Sequence, residues 1–339
     1  MKKTAKVVRH MVIQHIFPEK ESLPPQWAAL LRTAGLTAED LPEHTVLVWD
    51  GDLLAATGSR RGGLLQYLAV DPSRQGTDLT ATVLTHLRRS AFDAGHRRLF
   101  LYTKPANRYL LQDLFFYPVA QTTGVLLMED RPNGLRQFID ALPRCEGGTP
   151  VGALVMNCDP FTLGHRYVIE QAAAACRHVY VFILSEERSH FPAAHRLALA
   201  QAGTAHLPNV TVLPSGPYMI SAATFPTYFL PQREAASQIH CELDIEIFAR
   251  HIAPALGITH RYVGSEPYSP TTRRYNRALA EALPRHGITL VELPRLEQDG
   301  SAVSAGRVRT LLEGGQLSAV RSLVPETTFS YLQQHFQEV

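Results

Sequence analysis

The hydrophobic pattern of the first 130 residues predicts an α+β unit. Two apolar runs flank the polar turn DGD at residues 50–52, which is typical of a β-hairpin. Leu79, Val83 and Leu87 then recur at helical spacing before Gly95, a residue type that commonly follows the last turn of a helix. The predicted strands are residues 45–49, 53–57, 64–70, 98–102 and 125–128, and the predicted helices are residues 79–94 and 107–114.

From residue 151 onward the pattern changes to short apolar strands that alternate with helices. The predicted strands are residues 152–156, 179–184, 210–213, 260–263 and 288–293. The predicted helices are residues 165–175, 193–202, 244–256, 272–283 and 305–312, with more helix toward the end of the chain. Such alternation is typical of right-handed βαβ crossovers, which build a parallel sheet with helices on both faces. The sequence therefore predicts an α/β chain whose second half is Rossmann-like.

The connection between the two halves is marked by turn-forming residues. Residues 131–134 read RPNG, and Pro143, two glycines at 147–148 and Pro150 follow. They bracket one short apolar helix at residues 135–142. We therefore predict a first domain over residues 1–130, a linker over 131–150 and a second domain over 151–339.

Composition and charge exclude several classes of function. The chain has 339 residues, of which 45% are hydrophobic and 19% charged, as in folded enzymes of two domains. Its net charge is +2 without a basic stripe, so we expect no nucleic-acid partner. Apolar runs fall short of the roughly 20 residues that a membrane helix needs, and no signal-peptide pattern follows the N-terminus.

The cysteines and histidines narrow the chemistry further. The four cysteines lack CxxC spacing, which favours a cytoplasmic protein with reduced thiols. The fifteen histidines show no HExxH or HxxEH spacing, so we expect no metal site made by the protein itself.

One loop, MNCDPFTLGH at residues 156–165, has the features of a phosphate-binding site. It follows a buried strand and opens a helix, so backbone N–H groups and the positive end of the helix point into the crevice at the end of the strand. Gly164 allows close approach of the backbone to a phosphate. Thr162 offers a hydroxyl group, and His165 offers a ring N–H to an oxygen that gains charge in the transition state.

This loop resembles the N-P-x-T-x-G-H or H-x-G-H element of the nucleotidyltransferase superfamily, with Thr162 in place of the first histidine. The second landmark of the superfamily is a serine-rich turn that opens a late helix and ends in arginine, and VSAGRVR at residues 303–309 resembles it. Ala305 and Gly306 stand where the superfamily more often has hydroxyl residues. The resemblance implies an HxGH-type nucleotidyltransferase domain that binds ATP and attacks its α-phosphate.

Longer blocks of the second half are similar to the citrate lyase ligase family. The blocks are residues 156–172, 191–192, 196, 216–221, 225–230, 239–244, 262–268 and 271–276. This resemblance implies an AMP-forming acid–thiol ligase that uses ATP to adenylate acetate. The acetyl group would pass to the thiol of a CoA-like prosthetic group on the acyl-carrier subunit of citrate lyase. AMP and pyrophosphate would be released, and citrate lyase would be activated.

The resemblance also implies roles for individual residues. His165 and Thr162 would stabilise the α-phosphate, while Arg309, together with Arg307, would neutralise the departing pyrophosphate. Mg²⁺ would be held by the phosphates of ATP. The other candidates for ATP binding are Asn157, Asp159, Pro160, Phe161, Gly164, Gly264, Glu266, Tyr268 and Ser304.

The acetate and thiol-arm side of the site has weaker signals. The candidates are Tyr218, Ser221, His240 and Arg273, each of which has the alternative of packing in a core or capping a loop. Cys158 lies inside the phosphate loop, but no base is spaced to activate it and the chemistry requires no enzyme thiol. We therefore do not expect Cys158 to be a nucleophile.

The first half is similar to GNAT acetyltransferase domains in its order of strands and helices. These domains hold the CoA pyrophosphate on a turn of pattern Q/R-x-x-G-x-G/A, and the corresponding turn here is SRQGTD at residues 73–78. Gly76 is in place, but Ser73 and Asp78 depart from the pattern. A carboxylate at the start of a helix competes with pyrophosphate for the same positive end. We therefore expect docking of the thiol arm or of its carrier subunit, with acetyl transfer from acetyl-CoA as the alternative.

Two other functions are compatible with the same motifs. One is an adenylyltransferase that acts on a phosphorylated small molecule of the phosphopantetheine or nicotinamide-mononucleotide type. The other is a GNAT acetyltransferase with a degenerate nucleotide-binding domain. The intact Thr162–His165 element disfavours the second alternative, and the block at residues 219–230 together with the first domain disfavours the first.

Overall fold

The computed structural model describes residues 11–186, 189–219, 225–230, 233–266, 269–298 and 300–336. These residues form two compact units, Met1–Gly134 with Pro226–Ile239, and Leu135–Phe225 with His240–Val339. The division at Gly134 lies within the predicted linker. The return of Pro226–Ile239 to the first unit has no counterpart in the sequence-based boundaries.

The first unit contains a seven-stranded mixed sheet. Its strands are β1 (Met11–Ile16), β2 (His44–Asp50), β3 (Leu53–Arg61), β4 (Leu64–Val70), β5 (Phe100–Thr103), β6 (Tyr117–Gln121) and β7 (Leu126–Glu129), in the order β1-β2-β3-β4-β5-β7-β6. Its helices are α1 (Pro25–Thr33), α2 (Leu79–Asp93) and α3 (Arg108–Asp113). Buried apolar residues of α2, among them Val83, Leu84 and Leu87, pack against the sheet.

Strands β4 and β5 are the one parallel pair described in this sheet, and they separate after two residue pairs. Leu64 pairs with Phe100 and Leu65 with Leu101, while Tyr67, farther along β4, has a left-handed φ of 57° beside a bulge. A cavity of about 540 Å³ lies in this unit and includes residues of β4, α2, β5 and α3 in its wall. Tyr228 and Phe229 from the returning segment complete the wall.

The second unit is built on a five-stranded, wholly parallel sheet, as the alternation of strands and helices predicts. Its strands are β8 (Val151–Met156), β9 (His178–Ile183), β10 (Val210–Pro214), β11 (His260–Gly264) and β12 (Thr289–Leu293), in the order β10-β9-β8-β11-β12. The chain moves outward from β8 on one side to β10 and then returns to the other side with β11. The gap between β8 and β11 is therefore the topological switch point, where ligands of open α/β sheets bind.

Helices and one small hairpin alternate with or follow the strands of the parallel sheet, and the helices that begin at Leu163 and Ala193 pack against it. The helix that begins at Arg233 starts in the segment that returns to the first unit. The helices are α4 (Gly134–Asp140), α5 (Leu163–Ala175), α6 (Ala193–Gly203), α7 (Arg233–Ile247), α8 (Ala253–Leu256), α9 (Pro270–Ala282), α10 (Ala305–Glu313), α11 (Leu317–Val320) and α12 (Glu326–His335). The hairpin pairs β13 (Glu297–Gln298) with β14 (Ser301–Ala302). The single helix expected at residues 244–256 is in fact the end of α7, a π-helical turn over Phe248–Ile252, and α8.

Among the helices within the described ranges, none combines the length and the apolar character that crossing a membrane requires.

Candidate active site

The start of α5 is closed by reciprocal hydrogen bonds between Thr162 and His165. The Thr162 backbone N–H donates to Nδ1 of His165 at 3.0 Å, and the His165 backbone N–H donates to Oγ1 of Thr162 at 3.3 Å. Thr162 is thus the N-cap residue, with its hydroxyl oxygen satisfying an N–H that the helix leaves free. The arrangement is a capping box in which histidine replaces the usual glutamate or glutamine.

This cap fixes which ring nitrogen of His165 carries the proton, and burial keeps the ring neutral. Because Nδ1 accepts from a backbone N–H, the proton of the neutral ring lies on Nε2. Burial, and secondarily the nearby Arg295 guanidinium, lower the pKa of His165 to about 4. The ring is therefore neutral at physiological pH and keeps an Nε2–H donor for an external acceptor.

His165 lies in the wall of a cavity of about 260 Å³ at the switch point. The cavity brings together six of the residues expected from the sequence, namely Asn157, Thr162, Gly164, His165, Gly264 and Ser304. They come from the end of β8, the start of α5, the end of β11 and the turn before α10. Residues more than 100 positions apart in the chain therefore meet in one crevice.

Two helix N-termini face this cavity, because Gly164 allows them to approach. A Cβ at Gly164 would lie 2.7 Å from the carbonyl oxygen of Val303, so only glycine fits against that turn. The next residue, Ser304, caps α10 and accepts from the backbone N–H of Arg307 at 3.2 Å. Two positive helix ends at one cavity favour a multiply charged anion.

Asp159, Pro160 and Phe161 belong to the loop but are absent from the described lining of the cavity. The Asp159 carboxylate accepts from the backbone N–H groups of Phe191 at 2.9 Å and His190 at 3.2 Å. The ring of Phe161 is fully buried and packs closely against Gly203 of α6. These residues hold the loop in place.

The two arginines of the late turn are also absent from the described lining. Arg309 donates from Nη1 to the backbone oxygen of Asp159, and its guanidinium lies 3.5 Å from the Asp159 carboxylate. The Nη1 atom of Arg307 is buried without a hydrogen-bond partner among the described residues. Arg309 is thus tied to the loop, and Arg307 has a buried donor that is free among the described residues.

Arg196, a residue of α6, fixes the same loop by hydrogen bonds. Its guanidinium is fully buried and donates from Nη1 to the backbone oxygen of Asn157 at 2.8 Å and to the Asn157 side-chain oxygen at 2.6 Å. Nε donates to the Phe191 carbonyl oxygen at 3.0 Å, and Nη2 donates to the carbonyl oxygen of Glu186. Arg196 therefore connects α6 to the end of β8, which positions Asn157 at the cavity.

Arg295 is a cavity residue that the sequence analysis missed. It lies just after β12, forms an ion pair with Glu266, and donates from Nε to the carbonyl oxygen of Ser265 at 2.8 Å. Glu266, expected at the nucleotide, here anchors Arg295 and accepts from the Ser269 backbone N–H at 3.0 Å. The available signal was position: Arg295 directly follows the end of a strand, where parallel sheets carry binding residues.

Of the four acetate and thiol-arm candidates, Tyr218, His240 and Arg273 are described, and none of these three is in the described lining of the cavity. Tyr218 is fully buried, with its ring 5.3 Å from that of Phe138, and His240 is buried with its ring 5.2 Å from that of Phe225. Arg273 is exposed and donates to the carbonyl oxygen of Glu266 at 3.1 Å. Tyr268 and Ser221 lie outside the described residues, so their positions stay predictions.

Two further observations concern the reactivity of Cys158 and metal binding by side chains. The Cys158 thiol is buried, and this burial raises its pKa well above the ordinary value, which keeps it protonated. Across the described ranges, no group of three or more His, Cys, Asp or Glu side chains is arranged to hold a metal ion.

Comparison with known proteins places this site in context. The model of the citrate lyase ligase C-terminal domain matches residues 151–332. The citrate (pro-3S)-lyase ligase of Klebsiella pneumoniae is 39% identical over 90% of this chain and 91% of its own length. That of Escherichia coli is 36% identical over 90% of this chain and 89% of its own length. The crystal structure of Escherichia coli ElaA covers 36% of this chain and 100% of its own, with 14% identity and a TM-score of 0.31.

The parallel sheet, the cavity at its switch point and these relatives define an enzyme of the ligase class. Both the domain model, which matches more than half of the chain, and the relatives above 30% identity point to one family. The chain belongs to the citrate lyase ligase family. The α/β class and the parallel sheet expected from the sequence are confirmed, and the mixed sheet of the first unit agrees with the GNAT-like order.

Proposed function

We propose that this protein uses ATP to adenylate acetate and transfers the acetyl group to the thiol of a CoA-like prosthetic group on the acyl-carrier subunit of citrate lyase. The observation that carries this proposal is the capped start of α5, where His165 and Gly164 share a cavity with the Ser304 turn. The names of the relatives supply the target, citrate lyase.

In the first step, an acetate oxygen forms a bond to the α-phosphorus while the bond from that phosphorus to the bridging oxygen breaks. Pyrophosphate leaves with the electron pair. The protein has little covalent chemistry to perform, so alignment and charge stabilisation account for most of the catalysis. The α5 and α10 starts supply oriented N–H groups, and the neutral His165 donates from Nε2 to a phosphate oxygen that gains charge.

Charge on the triphosphate requires further compensation. ATP would carry Mg²⁺ on its own phosphates, which neutralises part of this charge. Arg295, whose guanidinium lies close enough to His165 to influence its pKa and is paired with Glu266, offers a charged donor in the cavity wall. Arg309 is tied to the loop, and Arg307 has a buried donor without a partner among the described residues; we propose that both receive the departing pyrophosphate.

In the second step, the thiolate of the prosthetic group attacks the acetyl carbonyl carbon. The bond from that carbon to the oxygen on phosphorus breaks, and AMP leaves. We propose that the first unit docks the arm or its carrier subunit for this step. Asp78, directly before α2, places a carboxylate at the helix end that would otherwise favour the pyrophosphate of acetyl-CoA.

The decisive experiment is acetate-dependent exchange of labelled pyrophosphate into ATP. Wild-type protein should catalyse it, and His165→Ala should reduce the rate about 100- to 1000-fold, because an oriented donor to the developing charge is lost. His286→Ala, a change at an exposed histidine after α9, serves as the matched control and should exchange at the wild-type rate.

Two outcomes would contradict the proposal. Exchange supported only by a phosphorylated alcohol, and not by acetate, would identify an adenylyltransferase. Equal rates for His165→Ala and His286→Ala would show that the start of α5 is not the site of phosphoryl chemistry.

A further inference from the structure

The cavity wall contains a buried positive charge that none of the steps above uses. Arg261, the second residue of β11, is 2% exposed and lines the same cavity as His165. Its Nε and Nη1 atoms are buried and have no hydrogen-bond partner among the described residues. Its guanidinium lies 4.6 Å from the centre of the Phe248 ring.

A buried guanidinium with unsatisfied N–H groups is costly. A buried donor without a partner loses its hydrogen bonds to water without replacement, and the loss is larger for a charged group. Buried charges in proteins are therefore paired or contact a charged ligand. An anion that entered the cavity would satisfy these donors.

The surroundings of Arg261 favour a small anion with a single charge. The Asp244 carboxylate and the Tyr275 hydroxyl lie close enough to act on the guanidinium, and Tyr275 also donates a hydrogen bond to Asp244. A phosphate dianion beside Asp244 would add strong repulsion, whereas a monoanion adds less. Apolar surface is also present: the Phe248 ring lies against the guanidinium, and Val155 and Val263 line the cavity.

We propose that Arg261 binds the carboxylate of the acid that is adenylated. This inference rests on the proposed function, since it assigns the acid subsite of the same cavity. The guanidinium holds the carboxylate by charge-assisted hydrogen bonds, and the short alkyl group of the acid faces apolar side chains. The two helix starts and Arg295 remain available for the phosphates. The acid and the nucleotide thus occupy separate groups of residues in one cavity.

The test compares Arg261→Met and Arg261→Lys in the full-length protein by pyrophosphate exchange. Arg261→Met should raise the acetate concentration at half-maximal rate about 10- to 100-fold, which corresponds to the loss of hydrogen bonds to a charged group. Arg261→Lys keeps the charge and should raise it less. The ATP concentration at half-maximal rate should change by about twofold or less in both variants. Arg277→Met, at an exposed position of α9, is the control and should behave as wild type.

A second measurement separates failure of this inference from failure of the proposed function. Acetate is titrated into each protein by calorimetry in the presence of a non-hydrolysable ATP analogue, which requires no turnover. Loss of acetate binding in Arg261→Met with unchanged binding of the analogue supports the inference even if exchange is absent. Arg261→Lys provides the same comparison if Arg261→Met does not fold.

Three results would overturn the assignment of Arg261. They are an equal weakening of acetate and analogue binding, a weakening of the analogue alone, and acetate binding that is the same in wild type, Arg261→Lys and Arg261→Met. Absence of acetate binding to the folded wild-type protein would overturn it as well.

Discussion

At the scale of single residues, Thr162 and His165 cap a helix and, in the proposed function, also act on the phosphate. The bond from the Thr162 backbone N–H fixes the proton of the neutral imidazole on Nε2, the atom that is left for a ligand. The same bond completes the cap of α5. A substitution at His165 is therefore expected to affect the helix start as well as the proposed catalysis, and folding has to be measured alongside activity.

The close packing of Gly164 gives a testable prediction, for which Gly306 provides the control substitution. Gly164→Ala would place a Cβ 2.7 Å from the Val303 carbonyl oxygen, so the turn before α10 must move away from α5. We expect loss of nucleotide binding by at least about tenfold and destabilisation of about 1–3 kcal/mol. Calorimetric titration of ATP and urea unfolding measure these changes.

Gly306→Ala is the matched control for this substitution. A Cβ at Gly306 would have no heavy atom of the described residues closer than 3.9 Å outside its own helix turn. Because alanine is the better helix former, this variant should keep or gain stability. If both variants bound ATP like the wild type, the close approach of α5 and the Val303 turn would have no part in the site.

At the scale of elements, the phosphate loop depends on α6 as much as on its own sequence. The fully buried Arg196 donates to carbonyl oxygens of Asn157, Phe191 and Glu186, and Phe161 packs against Gly203. Loop and helix are therefore expected to fold together, since neither has its polar groups satisfied alone.

Replacing Arg196 tests this dependence. Arg196→Met would leave several buried carbonyl oxygens without donors, and we expect a loss of about 3–5 kcal/mol in the free energy of unfolding. Arg321→Met, at an exposed pair with Glu326, should change it by less than about 1 kcal/mol. Urea unfolding of the two variants measures the difference, and equal stability would mean that α6 does not support the loop.

The elements also show what a sequence can predict. Strand β4 has the predicted bounds, and all five strands of the parallel sheet were predicted, because each contains a short apolar run between helical segments, although only the inner strands are largely buried. Strand β1 was missed, since Met11, Val12 and Ile13 are exposed and show no alternation. Strand β6 was missed because Pro118 interrupts its pattern.

The cavity could be predicted only where its residues are neighbours in the chain. Thr162, Gly164 and His165 form one local motif, so their meeting in the cavity follows from their spacing. Arg261 lies inside a strand and has no local pattern that distinguishes it from other arginines, and the one signal for Arg295 is its position just after the end of a strand. They reach the cavity because parallel strands bring distant segments to one sheet edge.

At the scale of the whole molecule, each unit contains one histidine, among those that the structure describes, whose pKa is lowered to about 4. The pKa of His165 is about 4, and burial together with the charges of His15, Arg60 and His86 lowers that of His44 to about 4. The unfolded chain takes up these two protons near pH 6.5, before the folded protein does. Stability contributed by the neutral rings is therefore complete above about pH 6.5 and falls as the pH drops toward 4.

This pH dependence can be measured by urea unfolding between pH 7 and pH 5. His44→Gln and His165→Gln should each reduce the slope of stability against pH, because one proton fewer is taken up on unfolding. His286→Gln, at an exposed position, should leave the slope unchanged. A wild-type protein with the same stability at pH 7 and pH 5 would contradict the assignment of the two shifted rings.

The segment Pro226–Ile239 has a consequence for any attempt to divide the protein. Its residue Tyr228 is buried, accepts at its carbonyl oxygen from the backbone N–H of Thr37 at 2.8 Å, and lies with its ring 4.7 Å from that of Tyr67. Cleavage after residue 140 would thus give an N-terminal fragment that lacks part of its own interior. The C-terminal fragment would carry the missing piece, so the two fragments should co-purify as a nicked complex instead of separating into independent domains.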